Sequence, residues 1–213
     1  EMVDNKGILM IDAGNAVGVR KRNDSFYKDN FTFIDQYEFP NVNLDHYKCI
    51  SINAFVDQVM LEKNKEKIEQ FLAQKKIVVF SGNLYLDWLP GGSTFIPKTI
   101  NSYLDYVVSI AKPHPIFEGV DPQDMTYNKG VSGFFARGHH PAPEGAEVLL
   151  TLPEGEPIVY IDRTTTYGTI LSYVGNDLFG YMINSKSSVQ ISQQLLQWVH
   201  DEYEELQKGR VAQ

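Results

Sequence analysis

Short uninterrupted apolar runs, each closed by glycine or small polar residues, punctuate this chain. Gly7-Ile8-Leu9-Met10-Ile11-Asp12 is the first. A strand covered on both faces carries apolar residues at consecutive positions, so this run predicts a buried parallel strand. Tyr47-Lys48-Cys49-Ile50-Ser51-Ile52 reads as a second strand, and Ile77-Val78-Val79-Phe80, followed by Ser81-Gly82-Asn83, as a third. Between these two, Val56, Val59, Met60, Ile68, Phe71 and Leu72 recur at helical spacing among Lys and Glu. That spacing predicts one amphipathic helix, with Gln74-Lys75-Lys76 as its basic C-terminal end. The stretch Val17 to Asn43 mixes polar and aromatic residues and predicts loop with one short element.

The second half is richer in strands. Glu147-Val148-Leu149-Leu150-Thr151-Leu152 and Pro157-Ile158-Val159-Tyr160-Ile161 flank a Pro-Glu-Gly-Glu turn. Tyr167-Gly168-Thr169-Ile170-Leu171-Ser172-Tyr173 reads as their partner, whereas Tyr103 to Ile110 fits helix or strand. Ile191, Leu195, Trp198, Val199 and Leu206 share one face of a closing helix. Strand, helix, strand, then further strands and a helix imply an α/β fold: a mixed, largely parallel sheet flanked by helices. No internal repeat or linker is visible, so a single domain over residues 1–213 is expected.

Composition changes this picture little. The chain is 43% apolar and 22% charged with a net charge of −8, ordinary for a globular protein. Its basic residues are scattered, so the stripe that neutralises nucleic-acid phosphates is missing and no nucleic-acid partner is expected. No apolar run approaches the roughly 20 residues that span a bilayer. Glu1 to Gly7 lacks a basic leader ahead of a long apolar core, so no signal peptide and no membrane partner are expected. Cys49 is the single cysteine; it permits no intrachain disulfide and no Cys-based zinc cluster, and a cytoplasmic location is the expectation.

Several segments then carry a family likeness. Ala111-Lys112-Pro113-His114-Pro115-Ile116-Phe117-Glu118-Gly119-Val120 resembles an HPIxxGV segment. It is followed by Pro143-Glu144-Gly145-Ala146-Glu147-Val148-Leu149, by Glu156-Pro157-Ile158-Val159-Tyr160, and by Tyr167-Gly168-Thr169-Ile170-Leu171-Ser172-Tyr173-Val174-Gly175-Asn176-Asp177. This order is similar to that of ThuA-like members of the class I glutamine amidotransferase-like superfamily, and the resemblance implies a flavodoxin-like scaffold. It departs where the chemistry would lie. Such an amidotransferase sets its thiolate in Gly-x-Cys-x-Gly and has a downstream His-x-Glu. Cys49 sits instead in Lys48-Cys49-Ile50-Ser51, and no His-x-Glu occurs. A small buried apolar residue is the expected role of Cys49, and glutaminase activity is not expected.

Two groups of residues are candidates for other chemistry. Gly133-Phe134-Phe135-Ala136-Arg137-Gly138-His139-His140-Pro141 concentrates polar side chains in a loop, a usual place for function. His139 or His140 could act as general base while Arg137 holds an anionic or oxyanionic group, as in a hydrolase or lyase. The bland alternative is a histidine that merely caps a backbone group. No third ligand stands at metal-binding spacing, so no metal is expected.

The other group follows from topology, because ligands in open α/β sheets bind beyond the C-terminal ends of strands. Asp12, Asn15, Ser81 and Asn83 should then form a polar, ligand-binding rim, although all are also ordinary turn formers. Ser81 lacks the Gly-x-Ser-x-Gly elbow of a serine nucleophile, and neither a P-loop nor Gly-x-Gly-x-x-Gly is present, so no cofactor is expected. The expected partner is a small polar ligand or a protein, with homo-oligomers left open. Tyr85, Trp88, Phe95 and Tyr103, around Pro90-Gly91-Gly92, could dock a protein, as in a regulatory or structural subunit, or pack the core.

Overall fold

The computed structural model describes residues 6–14, 23–180 and 186–209. Twelve strands occur among them: β1 (Ile8–Asp12), β2 (Thr32–Asp35), β3 (Cys49–Ile52), β4 (Ile77–Ser81), β5 (Ile96–Pro97), β6 (Ser109–Ile110), β7 (Tyr127–Asn128), β8 (Val131–Ser132), β9 (Gly138–His139), β10 (Glu147–Thr151), β11 (Pro157–Asp162) and β12 (Thr169–Tyr173). Eight of them form one sheet in the order β2-β1-β3-β4-β12-β11-β10-β6. From β2 to β12 every neighbouring pair is parallel, and from β12 to β6 every pair is antiparallel. β5 with β9, and β7 with β8, make two small antiparallel ribbons outside the sheet.

The apolar runs have the reason predicted for them. Alternate residues of each strand point to opposite faces, and both faces are covered. Ile8, Met10, Cys49, Ile77, Val79, Leu171 and Tyr173 meet one core. That core also takes Ile191, Leu195, Trp198 and Val199 of the C-terminal helix Gln190–Gln207, together with Tyr27 of the helix Ser25–Asn30. Leu9, Ile11, Ile50, Ile52, Val78, Phe80 and Ile170 meet the other core, with Met60, Leu61, Ile68, Phe71 and Leu72. Each such fully buried side chain contributes roughly 1.5–3 kcal/mol.

Three local expectations are corrected. The helix expected over Val56–Leu72 is two helices, Gln58–Lys63 and Lys65–Ala73. Asn64 divides them with φ −114° and ψ 20°, and its Nδ2 donates to the Met60 carbonyl at 2.8 Å. A short carboxamide that bonds the preceding turn competes with helix propagation. Val59, counted on the apolar face, is instead 51% exposed. Within Val17–Asn43 the chain forms a paired strand, β2, besides its short helix. As an edge strand of intermediate burial, β2 lacks the apolar run that marked its neighbours.

Between β4 and β10 the chain makes an irregular excursion in place of a crossover helix. Its first part lies on the second core, where Leu84, Trp88 and Leu89 are buried. Trp88 packs edge-on to Phe80 with ring centroids 5.0 Å apart, and its indole N–H donates to Gln58 Oε1 at 3.1 Å. Tyr103 to Tyr106 is one 3-10 turn closed by a Ser102–Asp105 capping box, after which β6 forms the sheet edge.

Candidate functional site

The parallel strands β1, β3, β4 and β12 end on one edge, and the residues just past them form its rim. Asp12 is buried and accepts the Gly14 N–H at 2.8 Å, closing a turn after β1. Past β3, Asn53 rests its Nδ2 on Met10 Sδ at 3.7 Å. Ser81 is buried at the end of β4, where its Oγ accepts the Leu178 N–H at 3.1 Å. Gly82 follows with φ +152°, and a Cβ there would stand 2.9 Å from the Ala54 Cα. Only glycine therefore lets β4 turn so close to the end of β3.

A cleft of about 270 Å³ opens past β4 and β12. Asn83 borders it on one side, Gly175 and Asn176 on another, and the Gly133–Arg137 loop closes it. No acidic residue is among those lining it. Arg137 is exposed, yet held: its Nε donates to the Gly133 carbonyl at 3.0 Å, and its guanidinium lies 5.9 Å from the Tyr106 ring centroid. The loop beneath is tied down too, since Tyr173 Oη donates to the Phe135 carbonyl at 2.5 Å and Lys98 N–H to the Arg137 carbonyl at 2.9 Å. A braced guanidinium costs less entropy when it binds an anion than a free one.

Three residues further on, His140 has a different surrounding. Gly138–His139 pairs with Ile96–Pro97, and this ribbon carries His140 inward, where it is 4% exposed. Its ring stacks near Phe80 at 6.1 Å and meets Phe95 edge-on at 6.0 Å. Nε2 accepts the Leu84 backbone N–H at 2.9 Å, so Nε2 carries no proton and Nδ1 does; Nδ1 then donates to Ser172 Oγ at 3.3 Å. Burial, with a smaller push from His139, lowers the pKa of His140 to about 4. Both ring nitrogens are thus in use, and taking up a proton would break the Leu84 bond. This geometry gives the ring a structural part, since it satisfies the buried backbone N–H of residue 84. His139 remains half-buried on the ribbon.

The structure therefore brings together Arg137 and Asn83 and separates the other candidates. By strand alternation Ser81 faces the core opposite to Phe80 and His140. Asp12 lies on β1, two strands from β4, about 10 Å away at ordinary strand spacing. Asn15 lies outside the described residues. Gly175, Asn176 and Phe134 line the cleft without having been singled out for it. The signal for the first two was present, because Val174-Gly175-Asn176 breaks an apolar strand just as Ser81-Gly82-Asn83 does.

Cys49 is fully buried within β3, and burial pushes its thiol pKa up. A second, largely apolar groove of about 470 Å³ lies by the edge strand β6, lined by Ile110, Pro113, His114, Pro115 and Phe117. There His114 Nδ1 is taken up by the Ile116 N–H at 3.2 Å. Among the described residues no group of His, Cys, Asp and Glu could hold a metal ion, and no helix is long and apolar enough to cross a membrane.

No family model and no curated protein matches this chain. Solved structures do. Over 91% of its length the chain is similar to a cold-adapted β-galactosidase from Rahnella sp. R3, with a TM-score of 0.53 and 13% identity. It spans only 31% of that enzyme's chain. The mmIFT52 N-terminal domain is similar over 90% of this chain and 96% of its own, with a TM-score of 0.51 and 10% identity. A glutamine amidotransferase from Thermotoga maritima aligns over 96% of this chain and 85% of its own, with a TM-score of 0.48 and 15% identity. The first two likenesses are of fold alone and leave function to the site.

Proposed function

We propose that this chain is a ThuA-like, non-amidotransferase member of the amidotransferase-like superfamily that binds a small polar or anionic ligand beyond its parallel strands. The observation that carries this reading is the cleft lined by the braced Arg137 together with Asn83 and Asn176, with no carboxylate among the described lining residues. Cys49, fully buried in β3, is unsuited to the nucleophile's part. Arg137 would take the anionic group, and the two carboxamides would orient the rest. The protein would work in the cytoplasm without a metal or cofactor. A hydrolase or lyase alternative would have to rely on His139, because the ring nitrogens of His140 are engaged.

A thermal-shift screen of small organic anions and uncharged polar metabolites tests the reading. A ligand present at about 100 times its Kd adds about 2.7 kcal/mol to stability, and the expected hit loses this effect in Asn176→Ala. A protein-docking role has its own support, since Tyr85 and Tyr103 are 62% and 64% exposed while Trp88 of the same stretch is buried. If no compound stabilises the protein and Tyr103→Ala reduces its association with a partner or with itself, docking replaces the ligand reading.

A further inference from the structure

The lining of the cleft narrows the ligand chemistry. We infer that the ligand is a small monocarboxylate with a flat body, of about the size of benzoate; this rests on the ligand-cleft reading above. Charge argues for one negative group. Among the described residues lining the cleft Arg137 is the single basic one, and Asn83 and Asn176 add dipoles without charge. A phosphate dianion would bring two charges to one guanidinium, inside a protein whose net charge is −8.

Shape argues for a carboxylate. With Nε committed to the Gly133 carbonyl, Arg137 presents its two terminal nitrogens, and these match the two oxygens of a carboxylate in one plane. Size and one exposed ring argue for the body. The cleft, at about 270 Å³, falls just below the usual range of ~300–1,000 Å³ for ligand pockets. Phe134 lines it while remaining 51% exposed, an apolar surface on which a flat group can lie.

The test is amide NMR of the full chain titrated in turn with benzoate, benzamide and inorganic phosphate. Benzoate is expected to shift the amides of residues 133–137 and 175–176, and to bind at least several-fold more tightly than the other two. Arg137→Ala should weaken it roughly ten- to hundredfold, the range of a hydrogen-bonded charge, with Arg137→Lys between the two. Phosphate binding as tightly as benzoate, benzamide matching it, or Arg137→Ala leaving it unchanged would each overturn the carboxylate inference while the cleft reading stands. If none of the three probes moves these amides, the carboxylate inference fails, and the cleft reading falls with it when the thermal-shift screen also finds no ligand.

Discussion

Arg137 and His140 come from the same loop, three residues apart, and the chain uses them in opposite ways. The Arg137 side chain is exposed and lines the cleft, anchored through Nε and a ring face. The imidazole is enclosed by Phe80 and Phe95 with both nitrogens bonded inside the protein. Polar residues of one loop therefore meet two surroundings, a cleft open to solvent and the protein's interior, and burial separates them. A buried backbone N–H must have an acceptor. Leu84 leaves β4 on an irregular path with no strand neighbour to supply one, and His140 fills that place.

The sharpest way to break this contrast is His140→Ala. It leaves the Leu84 N–H without its acceptor, takes one partner from the Ser172 hydroxyl and opens a cavity, so urea denaturation should show a loss of about 3–4 kcal/mol. A loss below about 1 kcal/mol would return His140 to the candidates for chemistry.

Acid should act through the same group. Its folded pKa of about 4 lies below the ordinary 6.5, so the unfolded chain takes up a proton that the native chain refuses. The contribution is fully present above pH 6.5 and is lost as pH falls from there to about 4, by up to about 3 kcal/mol at 1.36 kcal/mol per unit. Urea midpoints across this window should fall more steeply for the parent protein than for His140→Ala. Parallel curves would show that other groups control acid stability.

Arg137→Ala should give the smallest effect on stability, within about 0.5 kcal/mol, because its side chain is exposed. A larger loss would mean that the guanidinium holds the loop itself rather than serving the cleft.

The strands of the parallel half were legible because burial on both faces writes itself as consecutive apolar residues, as in Ile77–Phe80. The edge strand β2 was not, since one neighbour and intermediate burial impose no such run. The split at Asn64 was open to reading, as an asparagine inside a helical pattern is a known interruption, yet the apolar spacing on either side concealed it. At the site, Asn83 and Arg137 were recognised as polar residues after a strand and in a loop. Their meeting with Asn176 depends on β12 lying beside β4, a pairing across about ninety residues that no local pattern specifies.

The class of fold, the burial of Cys49 and the edge of the sheet at which polar turns collect could all be read along the chain. These follow from periodicity and residue type, which act over a few neighbouring positions. That Arg137 stays at the surface while His140 is drawn inside emerges from long-range packing. That outcome depends on which distant groups need a partner, here the Leu84 N–H and the Ser172 hydroxyl, and on where the β5–β9 ribbon sets the loop down.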